Sequence, residues 1–297
     1  GTPDAPTTSA VRRYLKEFLS DPRVVEIPKA VWWLILNGII LNVRPRKSAH
    51  AYEQVWTADG SPLAAITKGQ AEALQQRMGD GAVVRWAMRY GNPSTPERIR
   101  ALQAQGCDRI LLVPLYPQSC AATSATACDK AFQTLMEMRW QPAVRVAAPW
   151  HDDPVYIDAL AGSIHESLAK LDFEPDLVLA SYHGVPREYL DKGDPYHCQC
   201  AKTSRLLRER LGWEKGSIDT TFQSVFGPEE WLRPYTVDHV AELAKQGKKR
   251  IAVIAPAFSA DCIETLEEIN GEIRESFEHA GGESFTYIPC LNDDPAH

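Results

Sequence analysis

The sequence predicts an α/β fold of doubly wound, parallel-sheet type, built as two Rossmann-like halves. Three observations carry this. Apolar runs recur at 82–88, 109–115, 143–148, 176–182, 217–224, 250–257 and 284–289. Most are near-continuous rather than alternating, as strands covered on both faces are. Helical patterns fall between them, at 67–78, 95–105, 126–140, 154–171, 203–211, 236–246 and 264–279. Strand and helix in alternation is the mark of a parallel sheet. Finally, GCDRILLVPLY from Gly106 echoes GKKRIAVIAPAF from Gly247. Each has a helix-ending glycine, a basic residue, an apolar strand and an exit through proline and an aromatic ring. Any two βα units share that outline, but the echo fits halves at 1–150 and 151–297 with a cleft between them.

Each end of this pattern bears on the expectation. The chain opens on turn chemistry, Gly1-Thr-Pro-Asp-Ala-Pro, followed by a helix capped at Thr7, Thr8 or Ser9. A doubly wound domain usually opens on a strand, so a first strand is expected to be missing ahead of Gly1. The 297 residues are ample for a substantial core, and 44% apolar with 24% charged is ordinary for a globular protein. A net charge of -7 with no basic stripe argues against a nucleic-acid partner. Seven cysteines, an odd number, with no visible secretory signal point to a reducing cytoplasm. The longest apolar run, AVWWLILNGIILNV over 30–43, has 14 residues. As a helix it would span roughly 21 Å against roughly 30 Å of bilayer hydrocarbon. It is too short to cross a membrane, but it suits lying on one or lining a greasy pocket.

Ligands of open α/β sheets bind at the carboxyl ends of the strands, and that rule sorts the candidates. His183 follows the 176–182 strand, with Gly184 and Pro186 shaping a turn that aims the imidazole into the crevice; the alternative is a histidine that merely bonds a carbonyl. Glu264 opens the 264–279 helix beyond the 250–257 strand, and Glu268 and Glu272 follow on its face. Opposite lie Leu266, Ile269, Ile273 and Phe277, a core stripe, so the acidic face also reads as the wet side of a surface helix. A neutral imidazole opposite a carboxylate at a helix start suits a divalent metal or a proton transfer. Arg89 and Tyr90 leave another strand end, and arginine there could clamp a carboxylate. Trp231 and Phe258 could supply a flat apolar wall. Cys120, Cys128, Cys198 and Cys200 are either independent thiols or a set that meets to hold zinc or an iron–sulfur cluster; the spacings C-x-C and C-x7-C form no strong motif.

SYHGVPREYLDKGDPY, FQSVFGPEEWLRPY and PAFSADCIETLEEI, in that order, resemble the signature segments of the ferrochelatase family. MRYGNPST, PLYPQSCAATSAT and the opening GTPDAPTTSAVRRYLKEFLSDPRV fit it too, so the resemblance covers nearly the whole chain. It implies a lyase that inserts ferrous iron into a porphyrin, protoporphyrin IX, to make haem, with Fe2+ as substrate. It implies that His183 and Glu264 handle metal and pyrrole protons, and that Glu268 and Glu272 continue an acidic line away from the cleft. It places Tyr52, Arg89 and Tyr90 at the porphyrin edge and Trp231 and Phe258 against the ring. The 24–43 segment becomes an apolar lip that receives the porphyrin and touches the inner face of a membrane from a cytoplasmic protein. The family's strand before Gly1 and helix after His297 are expected to be absent here. Some members hold a [2Fe-2S] cluster on cysteines near the C-terminus; here it would need Cys120, Cys128, Cys198 and Cys200. Two alternatives stand beside this reading: a chelatase for cobalt or another tetrapyrrole, and a non-catalytic tetrapyrrole or metal carrier.

Overall fold

The computed structural model describes residues 1–297. The chain divides into two compact units: Gly1–Leu115 with Ala121–Ala148, and Tyr116–Cys120 with Pro149–His297.

The first unit begins with α1 (Thr8–Leu19), where Thr7 accepts the Ala10 N–H and Val11, Leu15 and Leu19 are buried. Their four-residue spacing makes one apolar stripe, and α1 packs against a helix from the next segment. That segment runs as α2 (Lys29–Ile35), a wide-turned π-helical stretch Leu36–Ile40, and α3 (Leu41–Val55). Leu36 and Leu41 point inward, whereas Val31, Trp33, Leu34, Ile39 and Val43 are exposed. After α4 (Pro62–Met78) and α5 (Thr95–Ala104) come β1 (Arg109–Leu112), α6 (Thr126–Met136) and β2 (Ala143–Val146). The two strands are parallel, with Arg109 opposite Ala143 and Leu112 opposite Val146. Ile99, Ala131 and Leu135 form a small core against Ile110, Leu112 and Val144.

One expected strand is not there. The 82–88 run is extended but joins no ladder. The Val84 N–H goes to the Gln75 side chain at 2.8 Å and the Met88 N–H to the Pro93 carbonyl at 2.8 Å. The Val84 and Met88 donors are therefore taken by a helix and by the run's own turn, and neither recruits a neighbouring strand. The glycine echo does survive. At Gly106 (φ 87°) the Gly106 N–H bonds Gln103 O and the Cys107 N–H bonds Leu102 O. At Gly247 (φ 92°) Gly247 bonds Ala244 O and Lys248 bonds Leu243 O. Both are the left-handed helix ending that favours glycine.

The second unit holds α7 (Pro154–Leu168), β3 (Leu177–His183), α8 (Arg187–Asp191), α9 (Tyr196–Leu211), β4 (Ile218–Gln223), α10 (Thr236–Lys245) and β5 (Arg250–Ile254). A ten-residue π-helical stretch, Glu264–Ile273, then runs into α11 (Arg274–His279) and β6 (Ser284–Ile288). The sheet order is β4-β3-β5-β6 and every pair is parallel. This is the doubly wound arrangement. On one face Leu177, Leu179, Ile251 and Val253 meet Val240 and Leu243 of α10 and Ile269, Ile273 and Phe277. On the other, Tyr182 bonds Ser204 of α9, and α7 packs against α9. With both faces covered, β3 is buried from Leu177 to Tyr182, which explains its unbroken apolar sequence. The helix expected at 203–211 starts seven residues earlier, because Asp194 accepts the Tyr196 N–H at 3.0 Å and so seeds the first turn.

Candidate active site

In a sheet of order β4-β3-β5-β6 the order of connection reverses between β3 and β5, and ligands of such sheets bind beyond the carboxyl ends of the strands at that point. His183 is the last residue of β3. Phe258 lies four residues past β5, and the two rings sit 6.4 Å apart, centroid to centroid. His183 Nδ1 is 2.6 Å from the Gly184 carbonyl. A carbonyl oxygen only accepts, so in the neutral ring Nδ1 carries the hydrogen and Nε2 keeps its lone pair. The imidazole is held from behind as well, since Tyr196 donates to the His183 carbonyl at 2.9 Å. The carbonyl bond that the sequence offered as the alternative is therefore present, and it fixes the tautomer.

Gly184 makes this close packing feasible. A Cβ there would lie 2.6 Å from the Gln223 carbonyl and 3.2 Å from Trp231 Cε3. The Gly184 N–H donates to that same carbonyl at 2.7 Å. Trp231 is buried against this turn and near Phe226, with ring centroids 4.9 Å apart, and its indole N–H has no partner.

The carboxylates come from the π-helical stretch. Glu264 and Glu268 lie four residues apart in it, and the Glu268 side chain and the Glu264 carbonyl both meet Gln223 at the end of β4. The sequence pattern predicts an α-helix here. One first-turn carbonyl, Glu264 O, is instead engaged by the Gln223 side chain at 2.8 Å. A side chain entering the ladder in this way accompanies a widened helix. Gln223 also donates to Glu268 at 3.1 Å and accepts from Ser181 at 2.8 Å, while Ser224 gives Glu268 its N–H at 2.6 Å and its hydroxyl at 2.5 Å. Burial pushes the Glu268 carboxyl above its ordinary pKa. Bonds from Ser224, attraction to His183 and the bond from Gln223 offset part of that rise, and the Glu264 charge adds to it. Glu272, by contrast, is exposed and lines a shallow recess with Lys245, Glu275 and His279. Gln223 and Ser224 were not singled out by the sequence reading. The rule that found His183 also points to them, because they end the adjacent strand and Gln223 is the register partner of His183.

Three other predicted residues lie in the first unit. Tyr52 is buried on α3, edge-on to Tyr14 at 6.3 Å and to Trp56 at 6.3 Å. The Arg89 Nε–H donates to the Thr126 carbonyl at 2.9 Å and to its hydroxyl at 2.8 Å, and Nη2 pairs with Asp21. Tyr90 donates to Asp21 at 2.8 Å, and burial pushes its phenol well above the usual pKa.

The four cysteines do not gather. No three His, Cys, Asp or Glu side chains form a metal-holding group. Cys198 and Cys200 are two residues apart on α9, where side chains diverge. Accordingly Cys198 is exposed and Cys200 fully buried, and burial drives the Cys200 thiol well above its usual pKa, away from the thiolate a cluster needs. The expectation of a [2Fe-2S] cluster on Cys120, Cys128, Cys198 and Cys200 is therefore not supported.

A family model described as Ferrochelatase matches residues 1–297. The chain is 60% identical over 299 residues to Ferrochelatase of Rhizobium meliloti (strain 1021), covering 99% of this chain and 88% of that protein. It is 60% identical over 304 residues to Ferrochelatase of Rhodobacter capsulatus, covering 100% of this chain and 87% of that protein. Among solved structures, SirB from Bacillus subtilis with Fe3+ shares the fold, with a TM-score of 0.52 at 16% identity over 80% of this chain and 87% of SirB. Fold and relatives together define an enzyme of the metal-chelatase class. Within that class the chain belongs to the ferrochelatase family, and iron insertion into a porphyrin to make haem is the activity that membership carries.

Proposed function

We propose that the porphyrin is protoporphyrin IX and that His183 and Glu264 carry the insertion chemistry, which places the enzyme among the lyases. The observation behind this is the fixed tautomer of His183, whose Nδ1 is tied to Gly184 O. Its Nε2 is left with a lone pair at the carboxyl edge of the sheet, beside Glu268 and the start of the Glu264–Ile273 stretch. Insertion must remove two pyrrole N–H protons and strip water from Fe2+. An imidazole with an open Nε2 accepts a proton or ligates the metal, and Glu264 and Glu268 balance the cation and pass protons. Phe258 and Trp231 offer apolar walls for the macrocycle, and Arg89, with Tyr90 and Tyr52, receives its propionate edge. Glu272 continues the acidic line toward solvent. The exposed Val31, Trp33, Leu34, Ile39 and Val43 form a lip for a poorly soluble porphyrin and a point of peripheral contact with the inner face of the cell membrane. No helix is long and apolar enough to cross that membrane.

The test is anaerobic turnover of Fe2+ and protoporphyrin IX, followed by absorbance. His183→Ala and Glu264→Ala are expected to lower kcat by about a hundredfold or more while porphyrin still binds, the scale of losing a positioned acid–base group. Full activity in His183→Ala would overturn the assignment. Porphyrin binding by the unmutated chain with no turnover for any divalent metal would favour a carrier.

A further inference from the structure

A buried polar knot in the first unit has no assigned role. Asp21, just past the end of α1, is 7% exposed, Tyr90 4% and Thr126 1%. Asp21 Oδ2 accepts from Arg89 Nη2, from Tyr90 at 2.8 Å and from the Thr126 hydroxyl, while Oδ1 accepts the Arg23 N–H at 2.8 Å. Thr126 in turn receives the Arg89 Nε–H on both its carbonyl and its hydroxyl. The guanidinium also lies over the Tyr90 ring, 4.2 Å from its centroid. Two segments distant in sequence, at Asp21 and at Thr126, thus converge on one arginine.

What they leave free is informative. A guanidinium has five N–H donors in a rigid fork. The Nε side is filled by Thr126, and Nη2 is paired with Asp21. Nη1 has no bond within the chain and is not among the buried, unpartnered donors, and the side chain stays 13% exposed. An arginine needed only for packing would be satisfied on all sides or free to move. This one is locked on one side and open on the other. We propose that Asp21, with Thr126, is a positioning residue for porphyrin binding: it fixes Arg89 so that its Nη1 side is offered to a propionate carboxylate. This rests on the reading that Arg89 receives the propionate edge. Locking the fork beforehand removes the rotamer entropy that a free arginine loses on capturing an anion.

The test is titration of porphyrin fluorescence with the full chain, without metal, using a dicarboxylate porphyrin and its dimethyl ester. Asp21→Asn is expected to weaken binding of the dicarboxylate about tenfold, the scale of one charge-assisted hydrogen bond, and to leave the ester unchanged. Arg89→Gln is expected to do the same. In the Arg89→Gln background, Asp21→Asn should add nothing, since it acts only through that arginine. If Arg89→Gln leaves the dicarboxylate unaffected, the propionate reading itself falls. If Arg89→Gln weakens binding and Asp21→Asn does not, or if the two losses multiply, Asp21 is not a positioning residue. Equal loss for acid and ester would assign Asp21 to folding alone. Should Asp21→Asn fail to fold, Thr126→Val carries the same cycle with the same expected and overturning outcomes.

Discussion

Gly184 carries more of the site than its size suggests. Its backbone is bonded to the Gln223 carbonyl, and a methyl group there would collide with that carbonyl at 2.6 Å, a backbone atom that cannot swing away. Gly184→Ala is expected to cost about 1–3 kcal/mol by forcing β3 and β4 apart at their ends. Urea unfolding measures this, and an unchanged midpoint would show that the turn absorbs the methyl. The same shift should lower kcat, because the Gly184 carbonyl orients His183. The place of His183 at the end of β3 was legible in the sequence, since it closes an apolar run and precedes Gly-Val-Pro. Gln223 and Ser224 were not. Their partner Glu268 lies 45 and 44 residues further along the chain, and a glutamine and a serine after a strand look like an ordinary exit until β4 is placed beside β3.

Elements were legible where a run's own composition carries the signal and were missed where partners distant in the sequence decide the outcome. The runs that became β3, β5 and β6 sit within helices on either side, so their composition alone marks them. The 82–88 run has comparable composition, but no composition reveals that Gln75 and Pro93 have claimed two of its donors. Likewise the 264–279 periodicity gives the buried stripe of Ile269, Ile273 and Phe277, all at most 2% exposed, but not the widened turns, which depend on Gln223 from another strand. The lip offers a test at this scale. Trp33 is 63% exposed and Leu34 65%, so neither contributes to the core. Replacing both with serine should leave the melting temperature within a degree or two, as surface changes do. It should clearly weaken flotation with vesicles of anionic phospholipid, each large apolar side chain being worth roughly 1.5–3 kcal/mol when fully buried. Unchanged flotation would leave the lip to the porphyrin alone.

At the scale of the whole molecule, each unit contains a carboxylate that ties distant segments and is held below its usual pKa. In the first unit, burial alone would raise Asp21. The Thr126 hydrogen bond, the Arg23 N–H, Tyr90 and the Arg89 charge outweigh it, and its pKa falls below the ordinary 3.8. In the second, Asp176 accepts from Arg250 Nη2 and from the Lys249 and Arg250 N–H groups, each at 2.9 Å, and so joins the approach to β3 to the start of β5. The Arg250 hydrogen bond, against a smaller desolvation effect, lowers it too. A carboxyl with a depressed folded pKa binds protons more readily when unfolded. Its stabilisation is therefore complete above the ordinary value of 3.8 and is lost as pH falls below it toward the folded pKa. Amide hydrogen exchange at pH 6, 4 and 3 should accordingly show both units loosening only below about pH 4. Asp21→Asn should flatten that dependence for peptides of the first unit and leave the second unit's slope intact, and Asp176→Asn should do the reverse. Loss of protection in both units from either single substitution would mean that they unfold as one body, so that acid acts on the sum of all carboxylates rather than on these two.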